Sequence, residues 1–165
     1  MNTAKTFCTA ALVITNLLIS LPTSAITREE PVPIYGSYNA YLDHSKQTFN
    51  GRPDVSKSVI QPASFSTVCI SSGCVAHWQL STRLSDNPNA PTLLDYHWIN
   101  GRWESTGEYP FRCNNGNKVT VTRFDFLTPK GGGNFSGERS FTVHGVGCPG
   151  DGPGIYRLPF TLTPT

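Results

Sequence analysis

Runs rich in Val, Tyr, Phe, Trp and Thr recur along most of this chain, each cut short by Gly, Pro, Asn or Asp, and none shows helical periodicity of useful length. A chain so punctuated satisfies its backbone only by pairing strand against strand. The candidate strands are Tyr35–Leu42, Phe65–Ile70, Val75–Thr82, Leu93–Ile99, Arg102–Tyr109, Lys118–Leu127, Gly137–His144 and Tyr156–Thr163. About eight strands joined by short turns predict an all-β antiparallel meander. Such a meander closes into a small barrel, which removes exposed sheet edges, or folds as a β-sandwich; alternation alone does not separate the two.

Two connections carry a mechanism. Asn100-Gly101 lies between His97-Trp98-Ile99 and Arg102-Trp103, and this pair tolerates the positive φ that a two-residue type I′ hairpin needs at both central positions. Pro129 to Asn134, with three consecutive glycines, predicts a second hairpin tip. Alternation then assigns faces: Leu94, Tyr96 and Trp98 share one side of their strand, as do Ala76, Trp78 and Leu80, and Tyr156, Leu158, Phe160 and Leu162. These are the expected core. Pro159 inside the last strand predicts an edge, a closure seam or a bulge, because proline cannot donate to a ladder.

The N-terminus has the layout of a secretory signal peptide. Lys5 precedes an uncharged stretch from Thr6 to Leu21, and Pro22-Thr23-Ser24-Ala25 places small residues at the last and third-last positions of a cleavage site after Ala25. Asn16 and several hydroxyls interrupt the run, so a membrane anchor fits less well. Residues 1–25 are thus expected to be removed with Cys8, residues 26–34 to form a flexible lead-in rich in Glu and Pro, and residues 35–165 to form one domain. The mature chain would hold 12 basic against 11 acidic residues, a near-neutral balance that predicts neither nucleic acid nor an anionic membrane as partner. No later apolar run is long enough to span a membrane.

Four cysteines then remain, Cys69, Cys74, Cys113 and Cys148, an even number that in an exported chain predicts two disulfides. Cys69 and Cys74 flank an expected four-residue turn with Ser and Gly and are placed to meet across a hairpin, which leaves Cys113 with Cys148. The crossed arrangement, Cys69 with Cys113 and Cys74 with Cys148, is the alternative. Paired Cys-x-x-Cys knuckles are absent, so a structural zinc site is not expected.

Gly36-Ser37-Tyr38 with Lys46 to Gly51, then Cys69 to Ala76 with its Cys-x-x-x-x-Cys-Val-Ala pattern, and Asn100-Gly101-Arg102-Trp103 followed by Cys113 resemble a family of small mycobacterial exported proteins. The same domain is similar to the extracytoplasmic C-terminal portion of some mycobacterial serine/threonine protein kinases. The resemblance runs through most of Gly36 to Thr163. It implies an exported β-domain that senses or binds something outside the cytoplasmic membrane, and it supplies no catalytic residues to carry across. With neither a kinase domain nor a transmembrane helix legible in this chain, a direct signalling role is not implied.

The residues themselves offer two candidate sites. His77, Asp95 and His97 lie on the outward faces of neighbouring strands and would converge as a metal or acid/base cluster if the register allowed; otherwise they are solvent-facing positions of half-buried strands. Trp78, Tyr96, Trp98, Trp103 and Phe124 are candidates to line an apolar ligand pocket inside a barrel, or else to fill it. Gly-x-Ser-x-Gly is absent, and the glycine-rich stretch from Gly145 to Gly154 lacks the Gly-Lys-Ser/Thr core of a phosphate loop. The expected function is a secreted, non-enzymatic binding or interaction module without cofactors. Its partner would be a small apolar ligand or a component of the cell envelope. The alternative is an extracellular enzyme or metal-binding protein using His77, Asp95 and His97.

Overall fold

A computed structural model describes residues 29–81, 90–113, 115–145 and 152–165. Ten strands alternate with turns: β1 (Gly36–Leu42), β2 (Thr48–Phe49), β3 (Arg52–Pro53), β4 (Val59–Ile70), β5 (Gly73–Leu80), β6 (Leu93–Ile99), β7 (Arg102–Arg112), β8 (Lys118–Gly131), β9 (Asn134–Val143) and β10 (Gly154–Pro164). β1 pairs with β4 on one side and β10 on the other, so β1 and β4 through β10 close into an eight-stranded antiparallel barrel. The barrel expected from the strand count is the architecture formed, and the sandwich is excluded. The short β2–β3 hairpin hangs on β10 through Tyr156 opposite Phe49 and Arg157 opposite Thr48. Among the described residues no helix is long and apolar enough to cross a membrane.

The turns follow from backbone chemistry. Asn100 and Gly101 both have positive φ, 49° and 78°, and join Ile99 to its partner Arg102, as a type I′ turn requires. The glycine-rich connection is tighter than expected: β8 runs on to Gly131, which faces Asn134, so the loop is only Gly132-Gly133. At the other hairpin, Ile70 faces Gly73 and leaves only Ser71-Ser72 in the turn. Cys69 therefore sits directly opposite Cys74 and is disulfide-bonded to it, which excludes the crossed pairing. Cys113 is buried and disulfide-bonded, whereas the expected Cys113–Cys148 link lies outside the described residues because Cys148 does.

The strand β4 begins six residues earlier than Phe65, at Val59. Pro62 and the alternating serines disguised it, but Pro62 faces Asn39 of β1 and lies beyond the β5 ladder, which begins at Ala63, so no β5 carbonyl goes without a donor. Pro159 behaves similarly. The β1–β10 closure ends at Leu42 opposite Phe160, and the β2 ladder starts at Arg157, so Pro159 occupies the seam between them.

The inward faces are the ones alternation assigned. Ala76, Trp78, Leu94, Tyr96, Leu158, Phe160 and Leu162 are buried in one cluster with Tyr38, Phe65, Trp103 and Phe135, and Leu80 and Trp98 pack against it. A second, smaller cluster of Cys113, Val121, Val143 and Tyr156 lies where β7 to β10 meet β2, with Phe49, Phe111 and Phe141 packed on it. Residues 29–34 precede the expected domain start yet are tied to it. Ile34 is fully buried, its N–H donates to Thr67 Oγ1, and the Trp98 and Trp103 indoles donate to the carbonyls of Glu29 and Val32. The buried Trp103 indole N–H needs an acceptor, and a segment outside the ladders has carbonyls to spare.

Candidate functional site

A closed barrel satisfies every backbone group of its walls except where a ladder stops early. That happens between β6 and β7. The two strands share only three pairs, His97 with Glu104, Trp98 with Trp103 and Ile99 with Arg102. From there β6 follows β5, while β7 continues along β8 to Arg112. The sequence favours this opening, since β7 carries Gly107 and Pro110 where β6 would have continued, and both residues weaken strand pairing.

The opening is a cleft of about 480 Å³. Its walls come from both faces of the sheet: outward-facing Asp95, His97, Glu104 and Phe124, and inward-facing Leu94, Ser105, Gly107 and Arg123. Residues of both faces line one cleft only because the strands part there.

The inner end carries charge. Asp125 is fully buried and accepts hydrogen bonds from the Tyr96 hydroxyl at 2.7 Å and from Arg139 Nη2 at 2.8 Å and Nε at 3.0 Å. Arg139 also lies over the Trp78 ring, 5.1 Å from its centre. Burial lowers the affinity of Arg139 for its proton, but the Asp125 carboxylate more than offsets this and the pKa rises. The Tyr96 hydroxyl is pushed well above its ordinary value by burial and then by the Asp125 charge, so it stays protonated and donates.

Arg123 is less well served. Its Nη2 donates to Ser105 Oγ at 2.9 Å, and its Nη1 lies 2.8 Å from Asp125 Oδ2. That approach is off the line an N–H needs, and neither Nη1 nor Nε of Arg123 has a hydrogen-bond acceptor among the described residues. Two guanidinium groups thus share one carboxylate inside the barrel.

The aromatic candidates divide between the two faces. Trp78, Tyr96 and Trp103 are fully buried and pack into the core rather than standing around a hollow. Trp98 packs edge-on against Trp103, and its indole is spent on Glu29. Phe124 points outward, against expectation. The register puts Arg123 opposite Gly107 and Asp125 opposite Ser105 and Arg139 on the inward face, where small or oppositely charged neighbours accept them. Phe126 is instead covered from outside by the Arg102 guanidinium, 4.6 Å from its ring centre. The inward Arg123, Asp125 and Arg139 were missed; the phase of Arg123 and Asp125 with Val121 and Leu127, and of Arg139 with Phe135 and Val143, was the available signal.

The histidine candidates converge in part. His77 and Asp95 are register partners, with Nδ1 and Oδ1 2.7 Å apart on the outer surface. His97 follows on the same face of β6, opposite Glu104, whose carboxylate is held by Arg102. No group of three metal-ligating side chains forms among the described residues. Another surface groove, of about 450 Å³ over β8 to β10, is lined by Lys46, Phe126 and Glu138.

A stapled, closed barrel whose wall opens onto buried charge defines a small β-barrel domain. The chain belongs to the family of the PknI serine/threonine-protein kinase sensor domain, whose model matches residues 30–165. It is 30% identical over 154 residues to the serine/threonine-protein kinase PknI of Mycobacterium tuberculosis and equally to that of Mycobacterium bovis. Each match covers 85% of this chain and 25% of the kinase, so the chain spans about a quarter of these relatives. Its fold is that of the monomer form of the M. tuberculosis PknI sensor domain, with a TM-score of 0.64 at 22% identity, covering 83% of this chain and 90% of that one.

Proposed function

We propose that this chain is an extracytoplasmic, non-enzymatic sensing module that holds a small ligand in the β6–β7 cleft. The carrying observation is the interrupted ladder: three pairs join two strands of seven and eleven residues, and the gap is lined from both faces. Clefts of several hundred Å³ with apolar walls and a few convergent polar groups are the usual form of a ligand site. Membership in a family of kinase sensor domains supports binding rather than catalysis. The N-terminal residues 1–25 serve in this reading as a signal peptide cleaved after Ala25, and the mass of the exported protein tests that assignment.

The test of the cleft is a backbone amide titration of the protein with a small-molecule library. Saturable shifts concentrated on Leu94, Ser105, Gly107 and Arg123 are expected, and shifts confined to the opposite wall of the barrel would refute the assignment. The rival reading, a metal or acid/base site at His77, Asp95 and His97, is favoured by the 2.7 Å His77–Asp95 bond. It predicts stoichiometric zinc that is lost when both histidines become alanine.

A further inference from the structure

Three charged side chains, Arg123, Asp125 and Arg139, are buried in the barrel interior, and together they leave one positive charge unmatched. Asp125 already accepts from Tyr96 and Arg139 and offers Arg123 only a poorly aligned oxygen. A buried cation so placed costs free energy unless an anion reaches it. The cleft supplies the route, because Arg123 lines it and the position facing Arg123 across the ladder is Gly107. A Cβ at Gly107 would come within 3.9 Å of Arg123 Nη2, so any larger side chain would stand in that route.

The outer end has the opposite sign. Asp95, Glu104 and Glu108 line it, and Glu108 forms no ion pair among the described residues. Apolar contact comes from Leu93, Ile99 and Phe124. A cation at the inner end, carboxylates at the outer end and apolar walls between them disfavour a multiply charged anion, which the outer carboxylates repel. They suit a molecule with a carboxylate at one end and an ammonium at the other.

Resting on the assignment of the cleft as the ligand site, we propose that its ligand is an amino-acid-like zwitterion. The carboxylate accepts hydrogen bonds from the Nε–Nη2 edge of Arg123, the ammonium faces Asp95 and Glu108, and an apolar side chain lies against Phe124. The guanidinium edge matches a carboxylate in geometry as well as charge.

The experiment titrates the isotope-labelled protein with L-phenylalanine, phenylalaninamide, N-acetyl-L-phenylalanine and inorganic phosphate. L-Phenylalanine is expected to bind most tightly. Removing its carboxylate as the amide should weaken binding by roughly 10- to 100-fold, as the loss of charge-assisted hydrogen bonds implies. Acetylating the ammonium should weaken it less, because the outer carboxylates are more solvated. Arg123→Met should abolish the preference for the acid over the amide. Gly107→Val, which leaves the charged network untouched and suits a strand, should block all three phenyl probes while the amide spectrum stays that of a folded barrel.

Equal binding of the acid and the amide at the cleft would overturn the zwitterion while leaving the cleft as the site. Tighter binding of phosphate than of L-phenylalanine would identify a simple anion site and overturn it equally. Shifts only outside the cleft, or no saturable binding of any probe at millimolar concentration, would remove both readings.

Discussion

Asp125 is the residue on which the interior charges depend. It is fully buried and bonded to Tyr96 and Arg139, with Arg123 in ion-pair range. Asp125→Asn keeps the shape but leaves two buried guanidinium groups without a counter-charge, and breaking a buried pair in this way costs about 3–5 kcal/mol. Urea unfolding should show that loss, and a change below about 1 kcal/mol would mean that water or an anion already compensates the arginines. Gly101 is a different kind of constraint. At φ 78° in the turn after Asn100, Gly101→Val should cost about 1–3 kcal/mol in strain, and Gly101→Ala less because it lacks the β-branch. A Cβ there would also meet the Glu29 carboxylate, but that flexible side chain can move aside. Wild-type stability in Gly101→Val would contradict the positive-φ turn. Of these two residues only Gly101 was legible in the sequence, because turn chemistry is local. The inward phase of Asp125 depends on what faces it across β7 and β9.

Between elements, the link from β1 to β2 shows how a short segment is pinned. Asp43 begins a one-turn 3-10 helix at His44–Lys46, and its backbone N–H donates to the Pro159 carbonyl. The Ser45 hydroxyl and the Lys46 ammonium, joined by Ser58, hold its carboxyl down to about 2 from the ordinary 3.8. A carboxyl whose pKa is lower in the folded chain contributes stability that is intact above the unfolded value and lost as pH falls through the folded one. The stability difference between wild type and Asp43→Asn is therefore expected to be constant above pH 3.8 and to shrink between pH 3.8 and about 2. A difference that persists unchanged at pH 2 would show that Asp43 acts through its shape alone. The Cys69–Cys74 disulfide closes a loop of only a few residues, so Cys69→Ser with Cys74→Ser should cost at most about 2 kcal/mol in the chain-entropy model, measured by denaturant unfolding. Strand identities and the hairpins at Asn100-Gly101 and Cys69–Cys74 were legible because alternation and turn residues act over a few positions. β2 and β3 were not, since two-residue strands carry no period and exist only through their pairing with β10.

At the scale of the whole molecule, the barrel depends on a segment outside its ladders. Ile34 is fully buried in the core, and Trp98 and Trp103 find their acceptors at Glu29 and Val32. A chain starting at Tyr35 should lose at least the worth of Ile34, about 2–5 kcal/mol by analogy with Ile→Ala in a core, together with two indole partners. Thermal unfolding of that truncation against a chain starting at Ile26 checks this, and equal midpoints would show that residues 29–34 are only resting on the surface. By itself the sequence determined the all-β class, the number of barrel strands, the Asn-Gly hairpin and the inward faces of β5, β6 and β10. These depend on φ preferences and on a two-residue period, both written locally. Only the tertiary structure decided that the sheet closes through β1 and β10, that β6 and β7 part after three pairs, and that Arg123 and Asp125 turn inward while Phe124 faces the cleft. Register decides these features: a shift of one residue exchanges the two faces of a strand, and what selects the register is the neighbour across the ladder, many positions away in the chain.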